Sequence, residues 1–290
     1  MKTIKEFILK QITSKMEKED EKYYIEKKEI EGIQTQFDIV YGDGYTMDYH
    51  YTKEIPMKQV IVIDIHGGGW VYGDKRLNRH FCMHIAKEGY PIYNINYGLA
   101  PTYSVKQQVQ QIIKAIRCVQ RRHTNQTYKL CLCGDSAGAH LASLVTCIIK
   151  CKTWAEDYEV DTNNIHIDGL LLQHGIYDLT SMRSSKKIYM KTLYQWMFPK
   201  KDEVVKEHDC LMAYIDATWD VPLFLLSSTG DRMFSSQTKN LVNQLDHLHR
   251  TYTALFWDKE ELQHVFHISF PDKEESRQSF QAMVQFLSTL

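Results

Sequence analysis

The strongest constraint on the fold of this chain is a repeated alternation of short apolar runs with longer amphipathic segments. "QVIVIDI" (59–65) and "YKLCLCG" (128–134) are nearly continuous apolar runs, as expected for strands covered on both faces. Between such runs lie segments such as 105–122, whose apolar residues recur at helical spacing. Strands that alternate with helices need crossover connections, so we predict an α/β fold with a mostly parallel central sheet and helices on both faces.

The pattern predicts about eight strands. The first two, near 35–40 and 48–52, flank the turn-rich "YGDGYT" and indicate an antiparallel hairpin. The other six are predicted at 59–65, within 90–101, and at 128–134, 167–175, 221–231 and 251–257. The stretch 178–220 breaks the rhythm and is interpreted as a mainly helical insertion over one end of the sheet. No repeat is visible, so we expect one domain over residues 1–290.

Charge and hydropathy exclude several kinds of partner. The chain has 35 Lys and Arg against 36 Asp and Glu, so no net field favours nucleic acid or an anionic membrane. The N-terminal segment places Ile4, Phe7, Ile8 and Ile12 at helical spacing, and charges interrupt it, unlike a signal peptide. No run approaches the roughly 18 apolar residues of a membrane helix. We therefore expect a cytoplasmic protein without stable membrane insertion.

The segment "GDSAG" (134–138) is the first chemical motif. It is G-x-S-x-G placed between a predicted strand and a predicted helix, the context of a nucleophile elbow. Small neighbours allow the sharp turn that would expose the Ser136 hydroxyl above the sheet edge. The Ala137 amide would lie at a helix N-terminus, where it can donate to a developing oxyanion.

A glycine loop follows an earlier strand. "HGGGW" (66–70) comes directly after "QVIVIDI", so it can lie at the same sheet edge as the elbow. Glycines permit the unusual dihedrals that aim two bare N–H groups at one oxygen. Two aromatic residues, Trp70 and Tyr72, are candidates for lining a substrate pocket, as are Trp196, Met197 and Phe198.

A serine nucleophile needs a base and an acid, expected in the chain order Ser, Asp, His. Asp231, after the strand "VPLFLLSSTGD", is the favoured acid, and Asp178 is its competitor because it also follows a strand. His264 is the favoured base, with His267 as a rival in the same loop. His140 and His174 are interpreted as structural.

Together these residues resemble the α/β-hydrolases of the hormone-sensitive-lipase type, a family that includes many bacterial carboxylesterases. The resemblance rests on five stretches in order: "HGGGW", "NYGLAP" (96–101), "GDSAGAHLA" (134–142), "STGDRMF" (228–234) and "HVF" (264–266). Two residues depart from the family pattern, Gly98 in place of Arg and Asp64 in place of an aromatic residue. Neither departure is expected to touch the catalytic groups.

The resemblance implies the α/β-hydrolase fold and the role of each site residue. It implies Ser136 as nucleophile, His264 as base and Asp231 as acid, with the amides of Gly68, Gly69 and Ala137 as oxyanion hole and Gly67 as a less certain donor. It also implies a helical cap, which residues 1–30 and 178–220 could supply. Members of the family often pair, so a homodimer is possible.

We therefore predict a serine carboxylic-ester hydrolase that acts on small, short-acyl esters and needs no metal or organic cofactor. Two alternatives stay open at this point. One is an amide-cleaving hydrolase on the same fold, an arylformamidase or a peptidase. The other is a catalytically silent binding module, which has no physical need for the complete set of groups.

Overall fold

The sheet lies at the centre of the protein. The computed structural model describes residues 30–216 and 219–290, together with residues 7, 9–11, 13, 14 and 16–18. Its eight strands are β1 (Ile33–Gly42), β2 (Tyr45–Thr52), β3 (Val60–Ile65), β4 (Ile92–Ile95), β5 (Lys129–Asp135), β6 (Gly169–Gln173), β7 (Leu223–Ser228) and β8 (Tyr252–Trp257). Their order across the sheet is β1-β2-β4-β3-β5-β6-β7-β8.

Strand direction follows the prediction from the sequence. The β1–β2 and β2–β4 pairs are antiparallel, and the remaining five pairs are parallel. The carboxyl ends of β3, β5, β6 and β7 therefore lie along one edge, where sites form in parallel sheets. The predicted mostly parallel sheet and the N-terminal hairpin are confirmed.

Helices cover both faces of the sheet. They are α1 (Arg79–Lys87), α2 (Val105–Arg122), α3 (Ala137–Lys150), α4 (Lys152–Asp157), α5 (Thr180–Arg183), α6 (Ile188–Met197), α7 (Ser235–His247), α8 (Phe266–Ser269) and α9 (Glu274–Thr289), with 3₁₀ segments at Lys200–His208 and Leu211–Ala213.

Strand β3 shows why its sequence lacks alternation, because all six of its residues are buried. Ile61 and Ile63 belong to a core that includes apolar residues of α2 and α3. Val60 and Val62 belong to a second core, built with residues of α1 and α9. A strand between two cores has no solvent face, so the side chains on both of its faces are apolar, with the buried Asp64 as the exception.

The described part of the insertion at 178–220 is mainly helical, and contains α5, α6 and both 3₁₀ segments. An isolated antiparallel bridge joins its first residue, Asp178, to Cys210. Three residues singled out in the sequence as possible pocket lining, Trp196, Met197 and Phe198, are at most 4% exposed and belong to the first core. Whether the segment covers the sheet edge as a cap stays a prediction.

The other predicted cap element, residues 1–30, lies mostly outside the described residues. Those that are described between 7 and 18 are helical. The Leu9 side chain packs against the first core. The Cε atom of Met16 lies 3.2 Å from the position that a Cβ would occupy at Gly69, so this segment approaches the glycine loop.

None of the described helices combines the length and the apolar character that a membrane span requires.

Candidate active site

The turn between β5 and α3 holds Ser136 in an unusual conformation. β5 ends at Asp135 and α3 begins at Ala137, and Ser136 between them has φ 51° and ψ −116°. Its N–H donates to the carbonyl oxygen of Gln173 on β6 at 2.8 Å. A Cβ at Gly138 would lie 1.8 Å from the carbonyl oxygen of Ile65, so glycine is needed where α3 crosses β3. The positive φ of Ser136 is strained for a non-glycine residue, and such strain is typical of functional sites.

Two hydrogen bonds connect Ser136 to a buried acid. The Oγ atom of Ser136 lies 2.8 Å from Nε2 of His264, and Nδ1 of His264 lies 2.8 Å from Oδ2 of Asp231. Asp231 is 1% exposed, whereas the His264 side chain is 25% exposed. The three side chains come from the loops after β5, β7 and β8, at the carboxyl edge of the sheet.

The competing acid and base lie elsewhere. Asp178 accepts hydrogen bonds from the backbone N–H and the hydroxyl of Thr180. His267 is hydrogen-bonded through Nε2 to the side chain of Gln173. Of the candidates from the sequence, the structure thus joins Ser136 to His264 and Asp231.

The ionised state of Asp231 determines which group donates in the two hydrogen bonds that connect Ser136, His264 and Asp231. Burial alone would raise the pKa of this carboxyl, but hydrogen bonds from His174 and His264 outweigh it and hold the pKa well below its usual range. A carboxylate only accepts hydrogen bonds, so the proton on His264 is carried by Nδ1. Its Nε2 is then a bare acceptor, to which the Ser136 hydroxyl donates.

His174 is the residue of the site that sequence reasoning assigned to structure alone. Its Nδ1 lies 2.9 Å from Oδ2 of Asp231, so the carboxylate has two imidazole partners. The signal available in the sequence was its position directly after β6, at the carboxyl edge where Ser136, His264 and Asp231 meet. The ligand atoms of His174, Asp231 and His264 lie within 4.8 Å of one another, as in a metal site. The paired N–H and carboxylate groups already account for this cluster.

The glycine loop has the dihedrals expected of a special turn. Gly68 has φ 108° and Gly69 has φ 59°, and the N–H groups of Val71 and Tyr72 donate to the Gly68 carbonyl. A Cβ at Gly68 would lie 2.1 Å from the Tyr72 carbonyl oxygen, which excludes any side chain there.

The amides of the loop divide into engaged and available donors. The N–H of Gly67 donates to Oδ1 of Asp135 at 2.9 Å, so it is already used. Among the described residues, the N–H groups of Gly68, Gly69 and Ala137 donate to no protein acceptor. Three free donors near a buried serine can receive an oxyanion, with the N-terminus of α3 adding its dipole.

Two buried acids, Asp64 and Asp135, are connected by hydrogen bonds to the glycine loop. The side-chain amide of Asn78 donates to Oδ1 of Asp135 at 2.8 Å and to Oδ2 of Asp64 at 3.1 Å. Burial and the nearby charge of Asp135 raise the pKa of Asp64 to about 8, and burial also raises the pKa of Asp135. Asp64, a departure from the family pattern, is thus connected to the glycine loop through Asn78 and Asp135.

The other departure, Gly98, is explained by packing. A Cβ there would lie 2.5 Å from the ring of Tyr103 and 2.6 Å from the hydroxyl of Tyr45. Its N–H donates to the side chain of Gln111 at 2.6 Å. This chain fills the space of a side chain at position 98 with tyrosine rings.

The two predicted substrate-binding aromatics differ in burial. Trp70 is 1% exposed, and its indole N–H donates to Nδ1 of His140 at 3.2 Å. Its ring therefore supports the loop from the core, and His140 has a structural partner as expected. Tyr72 is partly exposed beside the same core. Contact of either side chain with a substrate stays a prediction.

Comparison with known families gives one match that covers most of the chain. The family model described as BD-FAE matches residues 47–245. The matched stretch contains the glycine loop, Ser136 and Asp231, and it ends before His264.

Curated relatives match shorter stretches. Kynurenine formamidase of Danio rerio is 29% identical over 154 residues, which are 52% of this chain and 50% of that protein. Hormone-sensitive lipase of Mus musculus is 31% identical over 98 residues, which are 32% of this chain and 13% of that protein. The chain thus spans about half the length, or less, of these relatives.

A solved structure matches almost the whole chain. Esterase B of Lactobacillus rhamnosis HN001 superposes with a TM-score of 0.89 at 25% identity, and the match covers 99% of this chain and 96% of that one. The same esterase inhibited by a C4-C4 SN3 tributyrin phosphonate gives a TM-score of 0.89 at 26% identity, over 98% and 95% of the two chains.

Proposed function

The chain belongs to the BD-FAE family and is an α/β-hydrolase of the hormone-sensitive-lipase type, and on this premise we propose that it is a serine hydrolase that cleaves small carboxylic esters with short acyl groups. The relatives agree with the predicted class, a carboxylesterase-like or lipase-like serine hydrolase. The single observation that carries the proposal is the hydrogen-bonded chain from Ser136 through His264 to Asp231.

In the proposed reaction His264 is the general base and then the general acid. Its Nε2 takes the hydroxyl proton of Ser136 as Oγ attacks the ester carbonyl carbon, and Asp231 stabilises the imidazolium that forms. His264 then gives the proton to the departing alcohol, which leaves an acyl-serine. His264 next takes a proton from water, which attacks the acyl carbonyl carbon. The carboxylic acid leaves, and His264 returns the proton to Oγ of Ser136.

The oxyanion of each tetrahedral intermediate would be held by the amides of Gly68, Gly69 and Ala137. The proposal is supported by the absence of a protein acceptor for these amides among the described residues, and by the positive φ values of Gly68 and Gly69. The loss of one such donor typically costs about 10²- to 10³-fold in rate. The support of the loop by Asp135 is therefore part of the proposed machinery.

Short esters are favoured because the esterase that matches most of this chain was solved with a C4-C4 tributyrin phosphonate. A second candidate, cleavage of an aryl formamide, is favoured by the similarity to kynurenine formamidase. The same serine chemistry serves both bonds, with an arylamine in place of the alcohol as leaving group.

Turnover of two substrate series tests the proposal. The wild-type protein is assayed with p-nitrophenyl esters from acetate to palmitate and with N-formylkynurenine. We expect kcat/KM to be highest for acetate or butyrate and to fall toward palmitate. Ser136→Ala should lower kcat by a factor on the order of 10⁴ or more.

Ser143→Ala is the matched control. Ser143 is a buried serine of α3, the helix that begins directly after Ser136. Its hydroxyl donates to the Ala139 carbonyl at 2.7 Å, so its loss should leave turnover near wild type. A higher kcat/KM for the formamide than for every ester would select the second candidate. Inactivity of the folded wild-type protein on all of these substrates would favour a silent binding module and contradict the proposal.

A further inference from the structure

Asp231 has more hydrogen-bond donors than a serine triad requires. Its Oδ2 accepts from Nδ1 of His264 at 2.8 Å and from Nδ1 of His174 at 2.9 Å. Its Oδ1 accepts the backbone N–H groups of Met233 and Phe234 at 3.3 and 3.1 Å. One oxygen is thus oriented by backbone, and the other is shared between two imidazoles.

His174 is held in one position and one tautomer. The ring is completely buried, and the backbone N–H donates to the Leu226 carbonyl at 2.7 Å. The carboxylate of Asp231 requires a proton on Nδ1. Among the described residues Nε2 of His174 has no hydrogen-bond partner, which fits a neutral ring with a bare Nε2.

The groups that face His174 come from two loops. Asp231 approaches from the loop after β7, and His264 and His267 approach from the segment after β8. The His267 ring lies parallel to the His174 ring with centroids 5.7 Å apart, and Phe266 packs against its edge. Burial lowers the pKa of His174 although its Nδ1–H donates to Asp231, so the ring stays neutral near pH 7.

We propose that His174 is a positioning residue that holds the Asp231 carboxylate with a neutral Nδ1–H and, by sharing its negative charge, limits how strongly that charge stabilises the imidazolium form of His264. This inference rests on the proposed function, because it assigns His174 a part in the same triad. Without the second donor, the charge on Oδ2 would act on His264 alone.

The consequence is a shift in pH dependence as well as in rate. A more stable His264 imidazolium gives up its proton at higher pH. When the His174 donor is lost, the acid limb of the kcat/KM profile should therefore shift to higher pH. The freed carboxylate would also orient His264 less accurately, and small misplacements of this kind cost up to about 100-fold in rate. A merely structural role for His174 predicts lower stability with an unmoved acid limb.

Two variants of His174 separate these effects. His174→Phe keeps a ring but removes the donor, and His174→Asn keeps a short N–H donor toward Asp231. We expect the acid limb of p-nitrophenyl butyrate hydrolysis between pH 5.5 and 9 to move upward by about half a unit to one unit in the Phe variant. The Asn variant should keep the wild-type limb.

His50→Phe is the control for the loss of a buried histidine. His50 is fully buried in β2 and is hydrogen-bonded to Thr35 and Asn94, remote in the sheet from the triad loops. The His50→Phe variant should be less stable than the wild-type protein, with an unshifted acid limb. An unmoved limb in folded His174→Phe, or equal shifts in the Phe and Asn variants, would overturn the proposal.

A second measurement covers the case in which His174→Phe does not fold. Nitrogen-15 spectra of histidine-labelled wild-type protein should show one ring, absent in His174→Asn, that keeps Nδ1 protonated and Nε2 bare from pH 6 to 9. A protonated Nε2 on that ring would contradict the inference. Wild-type inactivity on every substrate would defeat the proposed function, while these spectra would still test the His174 hydrogen bond.

Discussion

At the residue scale, one carboxylate, Asp135, supports the glycine loop. Asp135 accepts from the Gly67 amide and from Asn78 through the same oxygen, and it directly precedes Ser136 in the chain. Its side chain therefore connects the glycine loop to the turn that holds Ser136. Asp64 contributes only through Asn78, so its effect on the loop is indirect.

Replacing Asp135 with alanine should impair both rate and stability. The buried Gly67 N–H and the Asn78 amide would lose their acceptor, which costs about 1–3 kcal/mol in the free energy of unfolding. A looser loop should lower kcat by about 10- to 100-fold with a smaller change in KM. Steady-state kinetics with p-nitrophenyl butyrate and urea unfolding measure the two effects.

Asp135→Asn is the matched comparison, because an amide oxygen can accept both hydrogen bonds. It should retain most of the activity that Asp135→Ala loses. Equal activity of the alanine variant and the wild-type protein would show that the loop holds its shape without this side chain.

The sequence identifies the chemical groups of the site better than their partners. Ser136 and the glycine loop stand in short motifs whose spacing requires a turn, so their place at the sheet edge follows from the pattern of strands. His264 and His267 share one loop, and no periodicity separates them. The structure separates them because Val265 has φ 50° and α8 begins after it, so the two rings face different partners.

At the element scale, burial explains which predictions from the sequence hold. All eight strands were expected. β3 to β7 are almost entirely buried and give apolar runs with little alternation, whereas β1 and β2 were expected from the turn between them. Two of them end earlier than predicted, β6 at Gln173 rather than 175 and β7 at Ser228 rather than 231. The residues left beyond these ends include His174 and Asp231, which belong to the site.

The insertion at 178–220 was predictable only in its helical character. Its helices bury Trp196 and Phe198 in the core, and aromatic residues in an amphipathic segment give the same pattern whether they line a pocket or pack. The hydrogen bond between His174 and Asp231 was not predictable either, although both residues follow strands. These residues are 57 positions apart, and their contact depends on the register of β6 and β7.

At the scale of the whole molecule, buried neutral histidines tie stability to pH. Burial lowers the pKa of His50 and His66 to about 4 and that of His140 to about 3, while the unfolded value is about 6.5. Below pH 6.5 the unfolded chain binds protons that the folded chain does not. Each histidine thus lowers the free energy of unfolding by about 1.4 kcal/mol for each unit that the pH falls toward 4.

Asp64 acts in the opposite direction over the same range. Its pKa of about 8 in the folded state means that the folded carboxyl keeps a proton that the unfolded one has released. Burial also raises the pKa of Asp135 and lowers that of His174. The four histidines outweigh the two acids, so the free energy of unfolding should fall by about 1–3 kcal/mol per pH unit between pH 6 and 5. Urea unfolding at several pH values measures this slope.

His50→Gln isolates one contribution. The variant should show a slope that is shallower by about 1.4 kcal/mol per pH unit than that of the wild-type protein. Stability that stays constant or rises as the pH falls from 6 to 5 would contradict the assignment of these histidines as neutral.

The central claim, that Ser136 is a nucleophile activated by His264, is tested most directly by covalent labelling with a p-nitrophenyl butylphosphonate ester. Intact mass and peptide mapping should show one phosphonyl group per chain on Ser136, no adduct in Ser136→Ala, and labelling slower by about 100-fold or more in His264→Ala. A folded wild-type protein that takes no label, or takes it on another residue as readily in Ser136→Ala, would contradict the account.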